Sequence, residues 1–327
     1  MHGVGTIGAG GSITGNVRIR RSGANNVLSY NFWSSPITSA TTSVLSGNRY
    51  MYDPNQATGS DVVGLRDGWI APGSFMTPGR GYIATGTANA SFIGIPNNGN
   101  ISYGPLALGT FTNFNLVGNP YPSGINANSF LSANPQILGG AIYFWDDDNT
   151  SGTGYAASDY GVYNGVGFVG PNSGKSFNGN IGSCQGFFIQ ASNTNPVTFT
   201  NSMRTTQNST FFDADMLDRV WVSVTTQNED YNETLIAFKE DATDSADAQY
   251  DATKLRGNTE IAMYSKIGSD DYAIQALSEL TVDKTVQLGV EATANGPQTF
   301  RLKQVDNLSE TVQIILEDTK LGTFHNL

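Results

Sequence analysis

Six consecutive oxygen-bearing side chains, Asp146 to Ser151, run directly into Gly152 in the stretch Asp146-Asp-Asp-Asn-Thr-Ser-Gly-Thr-Gly154. A Ca²⁺ ion takes several oxygen ligands from alternate positions of a loop that glycine turns sharply. Asp147, Asn149 and Ser151 supply one phase of that alternation, and Asp146 and Asp148 supply the other. No bidentate glutamate follows at the twelfth position, but Asp159 lies close to that place. These six residues (Asp146, Asp147, Asp148, Asn149, Ser151 and Asp159) are the candidate metal ligands, with Ca²⁺ the candidate cofactor. The competing reading is a polar hairpin loop, in which Asp and Asn serve turn geometry.

Aromatic rings are the second group with usable chemistry. Four tryptophans and fourteen tyrosines could supply a platform for the apolar faces of sugar rings. Trp69, in the loop-like Asp67-Gly-Trp-Ile70, and Trp145 are the candidate ligand-binding residues. The alternative is core packing, since Trp145 and Trp221 fall in runs that read as strands. A second acidic cluster, Asp241, Asp244, Asp247 and Asp251, has spacings that share one face if the segment is helical. Like charges at such spacing repel, so a nearby cation or full solvation is expected there.

Other chemistries find little material. The two histidines, His2 and His325, sit at opposite ends of the chain, which disfavours a Ser-His-Asp triad. No Gly-x-Ser-x-Gly elbow or phosphate-cradling loop occurs. A glycosidase needs two facing carboxylates, yet residues 1–212 contain no glutamate and seven aspartates. The lone Cys184 rules out an internal disulfide and reads as a small buried strand residue. A net charge of −11 disfavours nucleic acid. No apolar run approaches the length of a membrane span. The opening MHGVGTIGAG lacks the charged and apolar regions of a secretory signal.

The elements that must position these groups are short strands. Gly, Asn, Ser and Thr crowd the gaps between brief apolar runs, which predicts an all-β chain. Three anchors recur in the same order. Tyr30-Asn-Phe-Trp with Pro36 matches Phe114-Asn-Leu-Val with Pro120; Tyr50-Met-Tyr-Asp53 matches Tyr143-Phe-Trp-Asp146; Gly79-Arg-Gly-Tyr-Ile matches Cys184-Gln-Gly-Phe-Phe. Their offsets are 84, 93 and 105 residues, so the second copy carries the longer loops. Gly118-Asn-Pro-Tyr-Pro122 reads as a sharp corner opening that copy. Composition then breaks abruptly. Residues 1–212 carry a charge of +1 and 33 glycines; residues 213–327 carry −12 and five. Beyond the break, Val220, Val222 and Val224 alternate, as do Leu288 with Val290 and Phe300 with Leu302. Seven such strands predict a sandwich of immunoglobulin or jelly-roll type. The predicted domains are 1–112 and 113–205, two tandem related β-modules, and 206–327, an acidic C-terminal β-sandwich.

Taken in order, Asn115-Leu-Val-Gly-Asn-Pro-Tyr-Pro122, Ile142-Tyr-Phe-Trp145, Asp159-Tyr-Gly-Val-Tyr-Asn164, Gln185-Gly-Phe-Phe-Ile189, Phe199-Thr-Asn-Ser-Met-Arg204, Arg219-Val-Trp-Val222, Ala242-Thr243 with Asp247 and Tyr250-Asp251, and Leu316-Glu-Asp318 form a recognisable set. The set resembles the β-rich region upstream of the sorting domain in Bacteroidota proteins exported by the type IX secretion system. The resemblance implies an extracellular or outer-membrane-surface location and the secretion machinery as a partner. It implies no catalytic residues. In that family the pattern near Leu316 continues into further strands, so an open sheet edge is expected here. The expected function is a non-enzymatic segment of a secreted or cell-surface protein: adhesin, stalk or presentation module. Surface glycans or other surface proteins are the expected partners. The alternatives are a carbohydrate-binding module, with or without Ca²⁺, and a hydrolase accessory region.

Overall fold

The computed structural model describes residues 15–23, 30–61, 64–86, 89–146, 159–171, 176–205, 217–281, 284–309 and 311–327. The protein is all-β. The first module contains β1 (Val17–Ser22), β2 (Asn31–Trp33), β3 (Arg49–Tyr52), β4 (Trp69–Ile70), β5 (Tyr82–Ala84) and β6 (Asn89–Gly94). The second contains β7 (Ile101–Tyr103), β8 (Phe114–Gly118), β9 (Gly124–Asn126), the short helix α1 (Ala127–Ser132), β10 (Ile137–Asp146), β11 (Asp159–Asn164), β12 (Gly167–Val169), β13 (Asn180–Ile181), β14 (Gly186–Ala191), β15 (Val197–Phe199) and β16 (Arg204–Thr205). The third contains β17 (Asp218–Thr226), β18 (Tyr231–Phe238), β19 (Ala252–Thr253), β20 (Ile261–Ile267), β21 (Asp270–Leu277), β22 (Leu288–Ala292), β23 (Gln298–Asp306), β24 (Ile315–Asp318) and β25 (Thr323–Asn326).

Strand pairing follows the repeat. In the first module the sheet order is β2-β5-β3-β4, and in the second β8-β14-β10-β11 occupies the same sequence of places, with β12 added outside. Each anchor strand therefore has the same neighbours as its counterpart. The outer pairs match too: β1 pairs with β6, and β7 pairs with β15. The second module's pairing thus begins at Ile101.

The two modules meet reciprocally. Trp33 bridges Gln185, and Arg80 bridges Val117. Under the repeat, Trp33 corresponds to Val117 and Arg80 to Gln185, so one bridge is the other with the copies exchanged. The backbone bonds repeat the exchange: Ser34 N donates to Cys184 O (2.8 Å), and Gly118 N donates to Gly79 O (3.0 Å). Residue i meeting j while j meets i is the mark of a two-fold axis. Gly118 lies on this seam. A Cβ there would stand 2.5 Å from Ser34 Cβ and 3.0 Å from Gln185 O, so the sharp corner is required by close approach. Cys184 also belongs to the seam. It takes φ of 61° in a turn where the first copy has Gly79 at 85°, and it is buried in the first module's core with Trp33, Ile37 and Tyr82. The strand expected around Cys184 begins two residues later.

Alternation along the five-stranded sheet of the second module feeds two cores. Leu116, Tyr143 and Phe188 face one side; Val117, Ile142, Phe187 and Ile189 face the other, as the period of two in a strand requires. The first of these cores also holds Tyr52, Leu65 and Ile83 of the first module and Trp221, Leu235, Ala273 and Ala276 of the third. The third module is a seven-stranded sheet with β22 and β23 at its ends. One face joins that shared core. The other carries Val220, Val222, Val224, Ile261 and Met263, against which Phe300, Leu302, Ile314 and Leu327 are half-buried. The β24–β25 hairpin pairs with itself. The Asp241–Asp251 segment is turns and bends, not helix.

Candidate functional site

Asp146 closes β10 and Asp159 opens β11, and the two are cross-strand partners. Asp147, Asp148, Asn149 and Ser151 lie outside the described residues. The Asp159 carboxylate is committed to the third module. Its Oδ2 accepts from Asn232 Nδ2 (2.8 Å) and faces Lys254 Nζ at 3.5 Å. Its Oδ1 accepts from the backbone nitrogens of Tyr160 (2.8 Å) and Gly257 (3.1 Å). Lys254 Nζ in turn donates to Asn232 Oδ1 at 2.9 Å. Asp159 and Lys254 are both nearly sealed from solvent, with side-chain exposures of 2% and 3%. Asp159 thus acts as an internal anchor, with both oxygens occupied. Among the described residues no group of three or more His, Cys, Asp or Glu is placed to hold a metal.

Trp69 and Trp145 come from different modules, and the fold brings them to one aromatic cluster. Phe32 stacks on Trp145 (centroids 6.3 Å apart, 16° between planes) and meets Trp69 edge-on at 6.3 Å. Trp69 also meets Tyr52 at 5.1 Å and Phe188 at 5.9 Å, and Trp145 meets Tyr160 at 5.1 Å. Edge-on pairs of this kind add to the apolar burial itself. Trp69 sits in a short strand rather than a loop, and its Nε1 donates to Leu65 O at 2.8 Å. Both tryptophans are half-buried at the margin of the shared core.

The acidic segment of the third module is partnered internally. Asp244 accepts from Lys284 Nζ (2.7 and 2.8 Å) and Ser278 Oγ (2.7 Å). Asp247 accepts from Thr243 N, and Asp251 accepts from Asp247 N and Ala276 N. His325 is on the exposed strand β25.

A cleft that sequence reasoning missed opens where the second and third modules meet. It is an open depression with a volume of about 430 Å³. Phe111 to Phe114 come from the connection into β8, Gln190 from β14, and Thr253 to Arg256 and Ser269 to Tyr272 from the third module. A hydrogen-bond relay crosses it: Thr253 Oγ1 donates to Gln190 Oε1 (2.9 Å), Gln190 Nε2 to Asn113 Oδ1 (3.1 Å), and Asn113 Nδ2 to Ala191 O (2.6 Å). On the opposite wall Arg256 bonds Asp271 and Glu291, and Lys266 bonds Asp271 at 2.6 Å. Burial pushes the Asp271 carboxyl upward, but the bonds from Lys266 and Arg256 outweigh it and hold the group below its ordinary value. Arg256 does the same for Glu291. No local motif announces this site, because its residues are scattered from 111 to 272.

A family match covers residues 9–327, all three modules together. The chain belongs to the DUF8693 family. That family is described as a domain of unknown function. No curated protein and no solved structure matches the chain. A DUF8693 domain therefore comprises both repeat modules and the acidic sheet, the same set of strands that builds the shared core.

Proposed function

We propose that this DUF8693 chain is a non-enzymatic binding and presentation module of a protein exported to the cell surface or medium by a type IX-like route. The observation that carries the reading is the state of the carboxylates bonded to Arg256, a residue of the cleft wall. Asp271 and Glu291 are held ionised by Arg256 and Lys266. General acid–base catalysis works best with a group whose pKa lies near the working pH; these two are driven the other way. Fixed, paired charges orient a ligand and keep a surface soluble. The family resemblance set out above supports the location. Fractionation with surface proteolysis of cells that make the protein tests it. Protease-accessible protein on intact cells, or protein in the medium, is the expected result; recovery with the cytosol overturns the reading.

A further inference from the structure

We infer that the cleft between the second and third modules binds a neutral oligosaccharide, with Phe111 as the stacking ring and the Asn113–Gln190–Thr253 relay as the hydroxyl-binding wall. This rests on the reading of the chain as a binding module. Three observations lead to it.

The first is charge. The charged side chains lining the cleft are Lys254, Arg256, Asp270 and Asp271, two of each sign. Lys254 is already paired with Asp159, and Arg256 with Asp271 and Glu291. No net positive field remains to draw in a phosphate, sulfate or uronate, and the protein's net charge of −11 repels one.

The second is the pairing of wall types. Phe111 is 54% exposed, an apolar face at the edge of a cavity whose lining also carries the amides of Asn113 and Gln190 and the hydroxyls of Thr112, Thr253 and Ser269. A pyranose has the same division, with C–H groups on its faces and hydroxyls on its rim. Asn113, Gln190 and Thr253 are not exhausted by their mutual bonds. Each amide offers two N–H donors and a carbonyl with two lone pairs, and the hydroxyl can accept while it donates. Ser269 and Asp270, exposed at the β20–β21 turn, add a hydroxyl and a carboxylate.

The third is preorganisation. Gly59 lets the Phe111 ring lie on bare backbone; a Cβ there would stand 2.8 Å from the ring's Cδ1. Gly109 abuts the carbonyl of Pro54 so closely that no side chain fits. Asn115 clamps the same connection from both sides, accepting from Ala107 N (2.9 Å) and donating to Ala107 O (2.9 Å). The ring and the relay are therefore fixed before a ligand arrives, which lowers the ordering cost of binding.

The test is an array of neutral glycans (glucans, mannans, xylans and galactans) probed with the full chain, followed by titration calorimetry of any hit with Phe111→Ala, Gln190→Ala and, as a remote control, Phe75→Ala. Phe75 is an exposed aromatic that does not line the cleft. The expected result is at least tenfold weaker binding for both cleft variants, an unchanged melting temperature for Phe111→Ala and no effect of Phe75→Ala. Glycan binding that survives both cleft variants overturns the site. An array with no neutral hits, or with hits only to acidic glycans, overturns the ligand class. None of these outcomes touches export, which stands or falls on fractionation alone.

Discussion

At the scale of single residues, the buried charges decide more than the exposed ones. Asp159 and Lys254 face each other in the seam between the second and third modules, with Asn232 bonded to both. Removing one member of a buried pair leaves an uncompensated charge, at about 3–5 kcal/mol. Lys254→Met should therefore destabilise the protein by that amount in urea denaturation, and Asp159→Asn in the same chain should restore much of the loss. Asp251 makes a pH prediction. Burial pushes its carboxyl up to about 6, against two backbone donors that pull it down. The folded value lies above the unfolded one, so the contribution is full below about pH 4 and is lost as pH rises through about 6. The urea midpoint should be lower at pH 7 than at pH 5, and Asp251→Asn should flatten that slope. The sequence marked Asp159 by its distance from the Asp146 loop and Asp251 by its acidic neighbours. It could not show that their partners, Lys254 and Ala276 N, arrive from elsewhere in the chain.

At the scale of elements, the seam between the repeat modules holds Cys184 at 1% exposure with its thiol pushed up to about 11 by burial. Thiol reagents attack the thiolate. The native protein should resist iodoacetamide at pH 8 and react once denatured. Gly118→Ala, which drives a methyl into Ser34, should cost about 1–3 kcal/mol and accelerate labelling, because Ser34 N holds the carbonyl of Cys184. Labelling of the variant at the native rate would show that Gly118 does not hold the seam shut. The repeat itself was legible. Aromatic strands and their order survive in the residues, and they predicted which strands correspond. The reciprocal seam was not legible, because glycine, serine and cysteine at Gly118, Ser34 and Cys184 look like ordinary turn or strand residues until two turns are brought face to face.

At the scale of the molecule, the composition break near residue 212 separates two surfaces, not two independent cores. Tyr52, Tyr143 and Trp221 share one apolar cluster across all three modules. Polar bonds follow the same border: Trp221 Nε1 donates to Phe168 O (2.9 Å), Gly170 N to Glu233 Oε1 (2.8 Å), and Arg66 Nη2 to Gly257 O (2.7 Å). Removing residues 206–327 would expose Val162, Val166 and Val169 and strand the carboxylate of Asp159. That truncated chain should be aggregation-prone and lack a cooperative melt. The full chain should unfold in one transition, with tryptophan fluorescence and far-ultraviolet dichroism coincident. A stable 1–205 fragment with its own sharp melt would show the third module to be an appendage. Charge and glycine content report what faces solvent and how chains turn; they carry no record of which apolar faces are shared.

The reciprocal seam also speaks to ancestry. Contacts exchanged in pairs are what two identical chains make across a dyad, and a single chain acquires them when the gene for a self-pairing protein is doubled and fused. The two copies differ in length and strand number. The extra strand β12 and the extended start of β10 belong to the second copy alone, and both meet the third module, through Trp221 at Phe168 and Ala248 at Gly139.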